Sequence, residues 1–442
     1  MSSCVPTPTF ASVQAVVEQS RAVEVYGRVS KVVGLVVEAT GPSAKIGELC
    51  IIESQSGTEV VPAEVVGFRD QATLLMPLAE MTGIRAGCLV RATGDSLLVG
   101  VGAELLGRTL DGLGRPMDGM GPILCSRRYP SLAGPPNPLE RSVISDPFLT
   151  GVRAIDSMLT VGVGQRVGIF AGSGVGKSTL LSMIARNGMA DVNVIALVGE
   201  RGREVREFIE NDLGEEGLAR SVIVCATSDE PPLVRIKAAL TATAIAEGFR
   251  DEGKNVLLMM DSVTRFAMAQ REVGLAIGEP PSTKGYTPSV FALLPRLMER
   301  AGCSAKGAIT ALYTVLVEGD DTNEPIADAA RSILDGHVVL SRKLTSKGHY
   351  PPIDILQSLS RTMPMVVDGD HVRRANQIRH LMAAYADVED LVSIGAYKAG
   401  TKPIADTAIA RWDEINRFFR QDKAESTGMD EVREKMKELT LA

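Results

Sequence analysis

Apolar runs alternate with helical patterns between residues 151 and 365, and this alternation restricts the fold more than any other feature of the sequence. The runs VGIF, NVIALV, SVIVCAT and NVLLMMD have the length and composition of buried strands. Helical patterns follow them, such as KSTLLSMIARN, EVREFIEND and LVRIKAALTATAIAEGFRDEG. Strands separated by helices in this way predict an α/β fold, with a mostly parallel sheet covered by helices.

The segments before and after residues 151 to 365 differ from them in composition and in the spacing of apolar residues. Residues from about 22 to 95 show short strand-like runs broken by Gly and Pro, which predicts a small β-barrel, and ASVQAVVEQS before them predicts a short helix. The stretches LGRTLDGLGRPMDGMGP and PSLAGPPNPLERSVISDP have the composition of connecting segments. We therefore divide the chain into an N-terminal segment (1–20), a β-barrel (21–95), an α/β domain (96–365) and a helical domain (366–442).

The C-terminal region is predicted to be helical because its apolar residues recur at helical spacing. The last of these helices is charged and amphipathic, and its apolar face either packs against its own domain, which we favour, or docks a partner. The residues that define the three apolar faces are Val372, Ala375, Ile378, Leu381, Met382 and Tyr385; Ala405, Ala408, Ile409, Trp412, Ile415 and Phe419; and Met429, Val432, Met436 and Leu439.

A glycine-rich stretch, AGSGVGKST at residues 171 to 179, lies between a predicted strand and a predicted helix. This is the setting of a phosphate-binding loop, in which glycines let backbone N–H groups converge on phosphate oxygens. Lys177 would bring positive charge to the β- and γ-phosphates, and Ser178 would offer a hydroxyl to Mg²⁺. The motif normally begins with glycine, and alanine is tolerable there if its φ stays negative. The predicted phosphate-loop residues are Ala171, Gly172, Ser173, Gly174, Val175, Gly176, Lys177 and Ser178.

Two carboxylates are placed where hydrolysis of a bound nucleotide would need them. Asp261 ends the apolar run NVLLMMD, as the second Mg²⁺ anchor does after a phosphate loop. Glu200 follows the run NVIALVG at the predicted ligand-binding edge of the sheet, where a carboxylate can activate water. The alternative for Glu200 is a structural ion pair with Arg201 or Arg203.

Bulk charge and aromatic content argue against nucleic acid as a ligand. The chain carries 47 basic and 54 acidic residues, a net charge of −7, and only 4% aromatic residues. A protein that stacks bases along a basic surface would need more basic residues and more aromatic residues.

Six cysteines without CxxC spacing indicate reduced thiols rather than a metal site. The first residues lack the features of a signal peptide, and no apolar stretch reaches membrane-spanning length, so we expect a cytoplasmic protein.

Four longer stretches carry a resemblance to a known family. They are GERGREVREFIENDLGEEGLARS, DSVTRFAMAQREVGLAIGEPPSTKGYTPSVFALLPRLMERAG, LYTVLVEGDDTNEPIADAARSILDGHVVLSRKL and HYPPIDILQSLSR. Over residues 20 to 425 the chain resembles the type III protein-export ATPases of the bacterial flagellum and the injectisome, relatives of the catalytic subunit of rotary F-type ATP synthases. This family also carries FAGSGVGKST with alanine first, and FAMAQREVGLAIGEPP resembles the flagellar branch more.

The resemblance implies a RecA-like ATPase core between a β-barrel and a helical domain, with ATP and Mg²⁺ bound at the core. It implies Thr179 near the α-phosphate, Glu200 as the catalytic glutamate and Arg201 as its neighbouring arginine. It also implies that Tyr350 stacks on adenine. Arg361 would reach the γ-phosphate of the neighbouring subunit's nucleotide. The implied catalytic residues are Lys177, Glu200, Arg201, Asp261 and Arg361, and the implied Mg²⁺ ligands are Ser178 and Asp261.

The resemblance further implies a homohexamer at the cytoplasmic face of the inner membrane, which releases export cargo from chaperones and feeds it to a membrane export gate. A stalk or regulator protein would bind the N-terminus, and a central-stalk protein would enter the ring pore, whose loop would lie within residues 271 to 289. Three alternatives are open: a rotary ATP synthase catalytic subunit, an RNA translocase, and a non-catalytic nucleotide-binding ring subunit. The presence of Glu200 disfavours the last of these.

Overall fold

The structure, a computed structural model, describes residues 25–54, 60–317 and 324–440. These residues fall into two units, one up to Ser96 and one from Leu97 onward. The predicted N-terminal segment 1–20 and the predicted helix ASVQAVVEQS lie outside the described residues, and the domain boundaries predicted from the sequence stay predictions. Among the described helices, none combines the length and apolar character needed to cross a membrane.

The first unit is a closed six-stranded barrel, as the sequence predicted. Its strands pair in the order β1-β2-β5-β4-β3-β6, and β1 pairs with β6 to close the ring. Alternating residues point inward: in β3, the buried Cys50 and Ile52 are separated by half-buried neighbours. Closure leaves no unpaired sheet edge. The strands are β1 Tyr26–Val33, β2 Val36–Thr40, β3 Glu48–Glu53, β4 Val60–Arg69, β5 Ala72–Pro77 and β6 Leu89–Ser96.

The second unit is built on a nine-stranded sheet in the order β19-β18-β12-β17-β15-β13-β14-β8, with β16 paired to β17 at its side. Every neighbouring pair from β18 to β8 is parallel, and β19 runs antiparallel to β18, so the predicted α/β class with a mostly parallel sheet is confirmed. Pairs β10-β11 and β7-β9 form small separate sheets. The strands are β7 Leu98–Val101, β8 Thr109–Asp111, β9 Arg127–Pro130, β10 Pro147–Phe148, β11 Val161–Gly162, β12 Arg166–Ala171, β13 Val192–Glu200, β14 Ser221–Thr227, β15 Asn255–Asp261, β16 Gly302–Cys303, β17 Ala308–Leu316, β18 Gly336–Leu340 and β19 Ile353–Ser360.

The predicted helices appear between these strands, and KSTLLSMIARN forms one helix from its first residue to its last. The pattern EVREFIEND is less regular: after an α-helical start, Phe208–Leu213 is wound as a π-helix. The α-helices are Arg153–Met158, Lys177–Asn187, Gly202–Glu207, Gly214–Ala219, Pro232–Asp251, Val263–Ile277, Pro288–Met298, Pro325–Ile333, Arg342–Ser346, Met363–Val366, Gly369–Ala386, Glu389–Ser393, Pro403–Phe419 and Met429–Thr440. Short 3₁₀ turns occupy Ala103–Leu105, Pro138–Glu140 and Thr283–Gly285.

The last helix packs on its own unit. Val432, Met436 and Leu439 are buried in the same apolar core as residues of the sheet and of helix Lys177–Asn187. Each fully buried aliphatic side chain contributes about 1.5–3 kcal/mol. Of the two interpretations of this helix, the structure therefore supports packing within the chain, and its apolar face is not free to dock a partner.

A buried ion pair ties the longest helix of the second unit to the rest of it. Arg300 donates from Nε to Oε1 of Glu247 at 2.9 Å and from Nη2 to Oε2 at 2.6 Å, and its Nη1 donates to the Ser131 carbonyl at 2.7 Å. Both side chains are almost fully buried, at 2% and 5% exposure. Glu247 lies on helix Pro232–Asp251, so the pair joins that helix to the segments around Ser131 and Arg300.

Replacing Glu247 by alanine is expected to lower the free energy of unfolding by about 3–5 kcal/mol, because the Arg300 charge would remain buried without its partner. Urea and thermal unfolding followed by circular dichroism measure the change. Glu210→Ala is the matched control, because both side chains of the Arg206–Glu210 pair are exposed and such a pair contributes little to the free energy of unfolding. A Glu247 variant no less stable than the control would contradict the prediction.

Candidate active site

The carboxyl ends of the central strands bring the predicted catalytic residues to one edge of the sheet. Strand β12 ends at Ala171, β13 at Glu200 and β15 at Asp261. Strands β13 and β15 are direct parallel neighbours, with Leu197 opposite Asp261. Strand β17 lies between β15 and β12, so the phosphate-loop sequence emerges two strands away from Asp261. Residues far apart in the sequence therefore meet at the edge where ligands bind in parallel sheets.

The loop after β12 has the backbone that the glycines predict. Gly174 and Gly176 adopt φ values of 74° and 101°, in the left-handed region that other residues avoid. The helix then begins at Lys177. Ala171 is a buried strand residue, and the positive-φ residues other than glycine in the described chain are Asp70 and Lys284, so alanine is unstrained at the first position of the motif.

Lys177 and two acidic residues form a compact polar cluster. The Lys177 ammonium donates to Oδ1 of Asp261 at 2.5 Å and lies 3.6 Å from Oε1 of Glu200. Thr314, on β17, donates its hydroxyl to the same Asp261 oxygen at 2.7 Å. Thr314 was not among the site residues predicted from the sequence. Its one signal is a hydroxyl within the apolar run ALYTVL, in a strand whose neighbours could not be assigned from sequence alone.

Glu200 is held by Arg265 rather than by the arginines that follow it. Nε of Arg265 lies 3.3 Å from Oε1 of Glu200, and its Nη1 donates to the Gly199 carbonyl at 2.6 Å. Arg201 and Arg203 instead pair with Glu204 and Glu207, one turn along their own helix. The alternative interpretation of Glu200 as a partner of Arg201 or Arg203 is therefore wrong, and Arg265 is a second residue that the sequence analysis missed.

Burial dominates the electrostatics of Glu200, which is only 7% exposed. Desolvation raises the pKa of its carboxyl to about 7, with the Lys177 charge opposing the rise and Asp261 adding to it. A carboxyl with a pKa near neutrality, held at the edge of a ligand cleft, has the properties of a general base.

The remaining predicted residues lie at different distances from this cluster. Tyr350 is half-exposed and lies beside the loop: a β-carbon built on Gly176 would be 4.0 Å from Cε1 of its ring. Thr179 is in the first turn of the helix that begins at Lys177. Arg361 is exposed and follows Ser360, which pairs with Gly336, the first residue of β18. It therefore lies where the parallel strands begin, at the edge opposite the one that carries the loop. The structure therefore groups Tyr350 with the loop and separates Arg361 from it.

The polar cluster opens into a cleft of about 620 Å³, in the size range of small-molecule sites. Its walls include the loop from Gly172 to Ser178, Glu200, Asp261 and the exposed side chain of Arg201. A cavity of about 670 Å³ lies elsewhere, between the C-terminal helices, and contains none of the predicted site residues.

Family models match the chain in three consecutive parts. The β-barrel domain of the ATP synthase alpha/beta family matches residues 29–94, and the nucleotide-binding domain of that family matches residues 151–360. The C-terminal domain of the type III secretion ATPase EscN matches residues 367–438. These parts correspond to the barrel, to the large sheet with its helices, and to the C-terminal helices.

Known proteins of similar sequence match nearly the whole chain. The flagellum-specific ATP synthase of Bacillus subtilis is 55% identical over 94% of this chain and 95% of its own length. The type 3 secretion system ATPase of Xanthomonas euvesicatoria is 52% identical over 90% of both chains. Among solved structures, the assembled ATPase EscN of enteropathogenic E. coli aligns with a TM-score of 0.89 and 47% identity over 93% of this chain and 99% of its own. EscN in complex with its central stalk EscO aligns with a TM-score of 0.86 and 46% identity, over the same shares of the two chains.

The identities exceed what a shared fold alone would produce, and the coverage includes all three parts of the chain. The relatives are named as ATPases or ATP synthases of flagellar or type III secretion systems. The resemblance recognised from the sequence is thus confirmed: the chain belongs to the ATP synthase alpha/beta family and, within it, to the type III protein-export ATPases.

Proposed function

We propose that this chain hydrolyses ATP to energise type III protein export, and that the cleft at the carboxyl edge of the sheet is its catalytic site. The convergence of Lys177, Glu200 and Asp261 in one cleft carries the proposal. A nucleotide-binding subunit without turnover would not need a buried carboxylate with a raised pKa beside the phosphate loop, so Glu200 favours an enzyme over that alternative.

The catalytic roles follow from the chemistry of each side chain. The loop from Gly172 to Gly176 would hold the phosphate oxygens by backbone N–H groups, and Lys177 would move from Asp261 to the β- and γ-phosphates. Glu200 would orient the attacking water and take up its proton, while Arg265 holds the Glu200 carboxylate in place. Arg201, exposed in the same cleft, would add positive charge near the phosphates. Tyr350, beside Gly176, would stack on the base.

Magnesium is the cation that this donor set fits. Mg²⁺ prefers oxygen ligands and is held by one or two carboxylate or hydroxyl groups together with substrate phosphates. Ser178 provides a hydroxyl at the start of the helix and Asp261 a carboxylate, and both line the cleft. When bound, the ion would neutralise charge on the phosphates. Thr314 would keep the Asp261 carboxylate oriented as Lys177 moves to the nucleotide.

Removal of the Ser178 hydroxyl tests this assignment. Ser178→Ala is expected to raise the Mg²⁺ concentration that gives half-maximal ATP turnover by about tenfold, the effect of losing one hydrogen-bond-strength interaction. A magnesium titration of steady-state turnover measures it, with chelation by EDTA expected to abolish turnover. Ser173→Ala is the matched control, because Ser173 is an exposed serine of the same loop outside the proposed ligand set. Equal Mg²⁺ requirements in both variants would remove Ser178 from the ligand set.

Arg361 is the residue that points to assembly. Its position at the far edge of the sheet keeps it away from the cleft of its own chain. An arginine supplied by a neighbouring chain would complete each catalytic site only in a ring, and the assembled form of EscN supports such an arrangement. We propose a homohexamer with Arg361 acting across the subunit interface.

The export role supplies the proposed partners. The complex of EscN with its central stalk EscO supports a stalk protein in the ring pore of this chain. The pore loop predicted within residues 271 to 289 is shorter in the structure. Helix Val263–Ile277 ends at Ile277 and the next long helix begins at Pro288, so the connecting segment spans residues 278 to 287. Residues 278 to 287 would face the stalk. We propose export chaperones, their cargo and the membrane export gate as further partners, and a regulator at residues 1–20, with the ring in the cytoplasm against the inner membrane.

A further inference from the structure

The backbone that carries Arg361 is fastened on both sides, although the arginine side chain is exposed. Before it, Ser360 ends strand β19 and donates its hydroxyl to the Thr160 carbonyl at 2.9 Å. After it, Thr362 is only 4% exposed. The N–H of Arg361 itself donates to the carbonyl of Asp335, the residue before β18, at 3.0 Å. An exposed side chain is therefore presented from a segment that has little freedom to move.

One buried side chain, that of Gln165, contacts Ser360, Asp335 and Thr362 together. Its Nε2 donates to Oγ of Ser360 and to the Asp335 carbonyl, both at 3.2 Å, and its Oε1 accepts a hydrogen bond from the Thr362 hydroxyl. Gln165 is 0% exposed. We call these three hydrogen bonds the Gln165 clamp. They hold the residues before and after Arg361 and the carbonyl to which its N–H donates, so they fix the position of its backbone.

The clamp is anchored in the sheet. Gln165 precedes the first residue of β12, and its carbonyl accepts the N–H of Ala311, on β17, at 3.0 Å. Its Oε1 also accepts the Gly162 N–H at 2.9 Å. The neighbouring Arg166 donates from its N–H and its Nε to the Asp335 carboxylate, at 3.2 Å and 3.0 Å. The Gln165 amide thus makes all four hydrogen bonds that a glutamine side chain can make, and this fixes its orientation.

Gly336 provides the space that the clamp needs. A β-carbon built on Gly336 would lie 2.7 Å from the Leu359 carbonyl oxygen, 3.0 Å from Nε2 of Gln165 and 3.2 Å from Cα of Ser360. A side chain at this position would therefore push away either the glutamine amide or strand β19. The close approach of the amide to β19 depends on glycine at residue 336.

We propose that Gln165 is a positioning residue for Arg361: the clamp holds the Arg361 backbone so that its guanidinium meets the nucleotide of the neighbouring chain in an ordered state. This inference rests on the role proposed above for Arg361. A catalytic group that is misplaced by about 1 Å can lose about 10²-fold in rate. A group held by its own supporting hydrogen bonds avoids this loss and needs no reorganisation at the moment of reaction.

The clamp is remote from the cleft of its own chain. The six residues of β12 separate Gln165 from the phosphate loop, which at about 3.3 Å per residue is roughly 20 Å. Strand β12 is paired with β17 and β18 on its two sides, so the beginning of the loop stays in place without the clamp. Loss of the clamp should therefore lower turnover at the neighbouring chain's site and leave ATP binding in its own cleft unchanged.

Gln165→Met removes the four hydrogen bonds of the amide and keeps the length of the side chain. Turnover per chain in assembled rings is expected to fall about 10- to 10²-fold, with little change in the affinity for a fluorescent ATP analogue. The double variant Ser360→Ala, Thr362→Val removes the flanking hydroxyls without altering Gln165, and it should show the same pattern if Gln165→Met does not fold. Circular dichroism and light scattering establish folding and assembly. Full turnover in an assembled variant of either kind would overturn the proposal.

Mixing variants distinguishes the positioning of Arg361 from a general effect on the fold. A Gln165→Met chain keeps its own Glu200 and can receive a well-placed Arg361 from a neighbouring Glu200→Gln chain. Turnover per chain in this mixture should therefore exceed that of either variant alone. A mixture of Gln165→Met with Arg361→Ala should gain nothing, because neither chain supplies a well-placed arginine.

Gln421→Met is the matched control for the mixture. Gln421 is also buried, at 5% exposure, and it lies next to the segment of Tyr350 rather than that of Arg361. Any turnover that this variant loses is lost at its own site, so it should not be regained in a mixture with Glu200→Gln. The backbone groups to which its side-chain amide is hydrogen-bonded belong to Gly151, Arg153 and Glu425.

Failure of this inference and failure of the proposed function give different results. Suppose that Arg361→Ala regains turnover when mixed with Glu200→Gln, and that Gln165→Met does not. Gln165 would then serve only the fold of its own chain, and its positioning role would be overturned while that of Arg361 stands. Full turnover of Arg361→Ala alone would refute the role proposed for Arg361, and the positioning role would fall with it. An unaltered protein that does not hydrolyse ATP would refute the proposed function itself.

Discussion

Glu200→Gln is expected to lower ATP turnover by about 10²- to 10⁴-fold, the usual contribution of a general base. Glutamine has the same shape and keeps a carbonyl oxygen near Lys177 and Arg265, but it cannot accept the proton of the attacking water. Nucleotide affinity should be retained, because the phosphates are bound by the loop and by Lys177, which would lose a competing negative charge 3.6 Å away. Single-turnover hydrolysis and equilibrium binding of a fluorescent ATP analogue separate the two effects.

Glu207→Gln is the control for this experiment. Glu207 lines the same cleft, and its carboxylate is 52% exposed and paired with Arg203 at a distance of 3.5 Å. An exposed pair of this kind has little energetic weight, so turnover should change little. Residual turnover of Glu200→Gln within tenfold of the unaltered chain would mean that another group activates the water, and the role proposed for Glu200 would have to be withdrawn.

The local parts of the site could be predicted because they depend on short-range rules. A strand, a glycine-rich loop and a helix define the phosphate loop within residues 166 to 187, and the structure reproduces this order. Glu200 and Asp261 could be predicted because each ends an apolar run, and the ends of parallel strands meet at one edge. Neither inference needs the order of the strands in the sheet.

The partners of these residues depend on that order and were missed for this reason. Thr314 donates a hydrogen bond to Asp261 because β17 lies next to β15. Which strands are neighbours in the sheet could not be predicted from the sequence. Arg265 reaches Glu200 from the first turn of the helix after Asp261, while Arg201 turns towards Glu204 on its own helix. The roles of Tyr350 and Arg361 came from the family resemblance, since one tyrosine and one arginine among many carry no pattern of their own.

Arg361→Ala is expected to lower turnover per chain by about 10³-fold or more, the contribution of an arginine that stabilises transferred phosphate charge. Arg361 follows β19 at the edge opposite the phosphate loop. In the proposed role it therefore acts on the nucleotide of another chain. Turnover per chain of the unaltered protein should therefore rise with protein concentration as rings assemble, and that of Arg361→Ala should stay low and flat. Light scattering would establish that the variant still assembles, and Arg373→Ala, at an exposed residue paired with Asp370, is the control.

Mixing two inactive variants gives the most direct test of action between chains. In a mixed ring, an Arg361→Ala chain keeps its own Glu200 and can receive Arg361 from a neighbouring Glu200→Gln chain. Activity should thus appear in the mixture although neither variant has it alone, because one type of site regains both groups. A mixture that assembles and stays inactive would mean that Arg361 serves its own chain or only the fold. Concentration-independent turnover of the unaltered protein would lead to the same conclusion, since a site complete within one chain gains nothing from assembly.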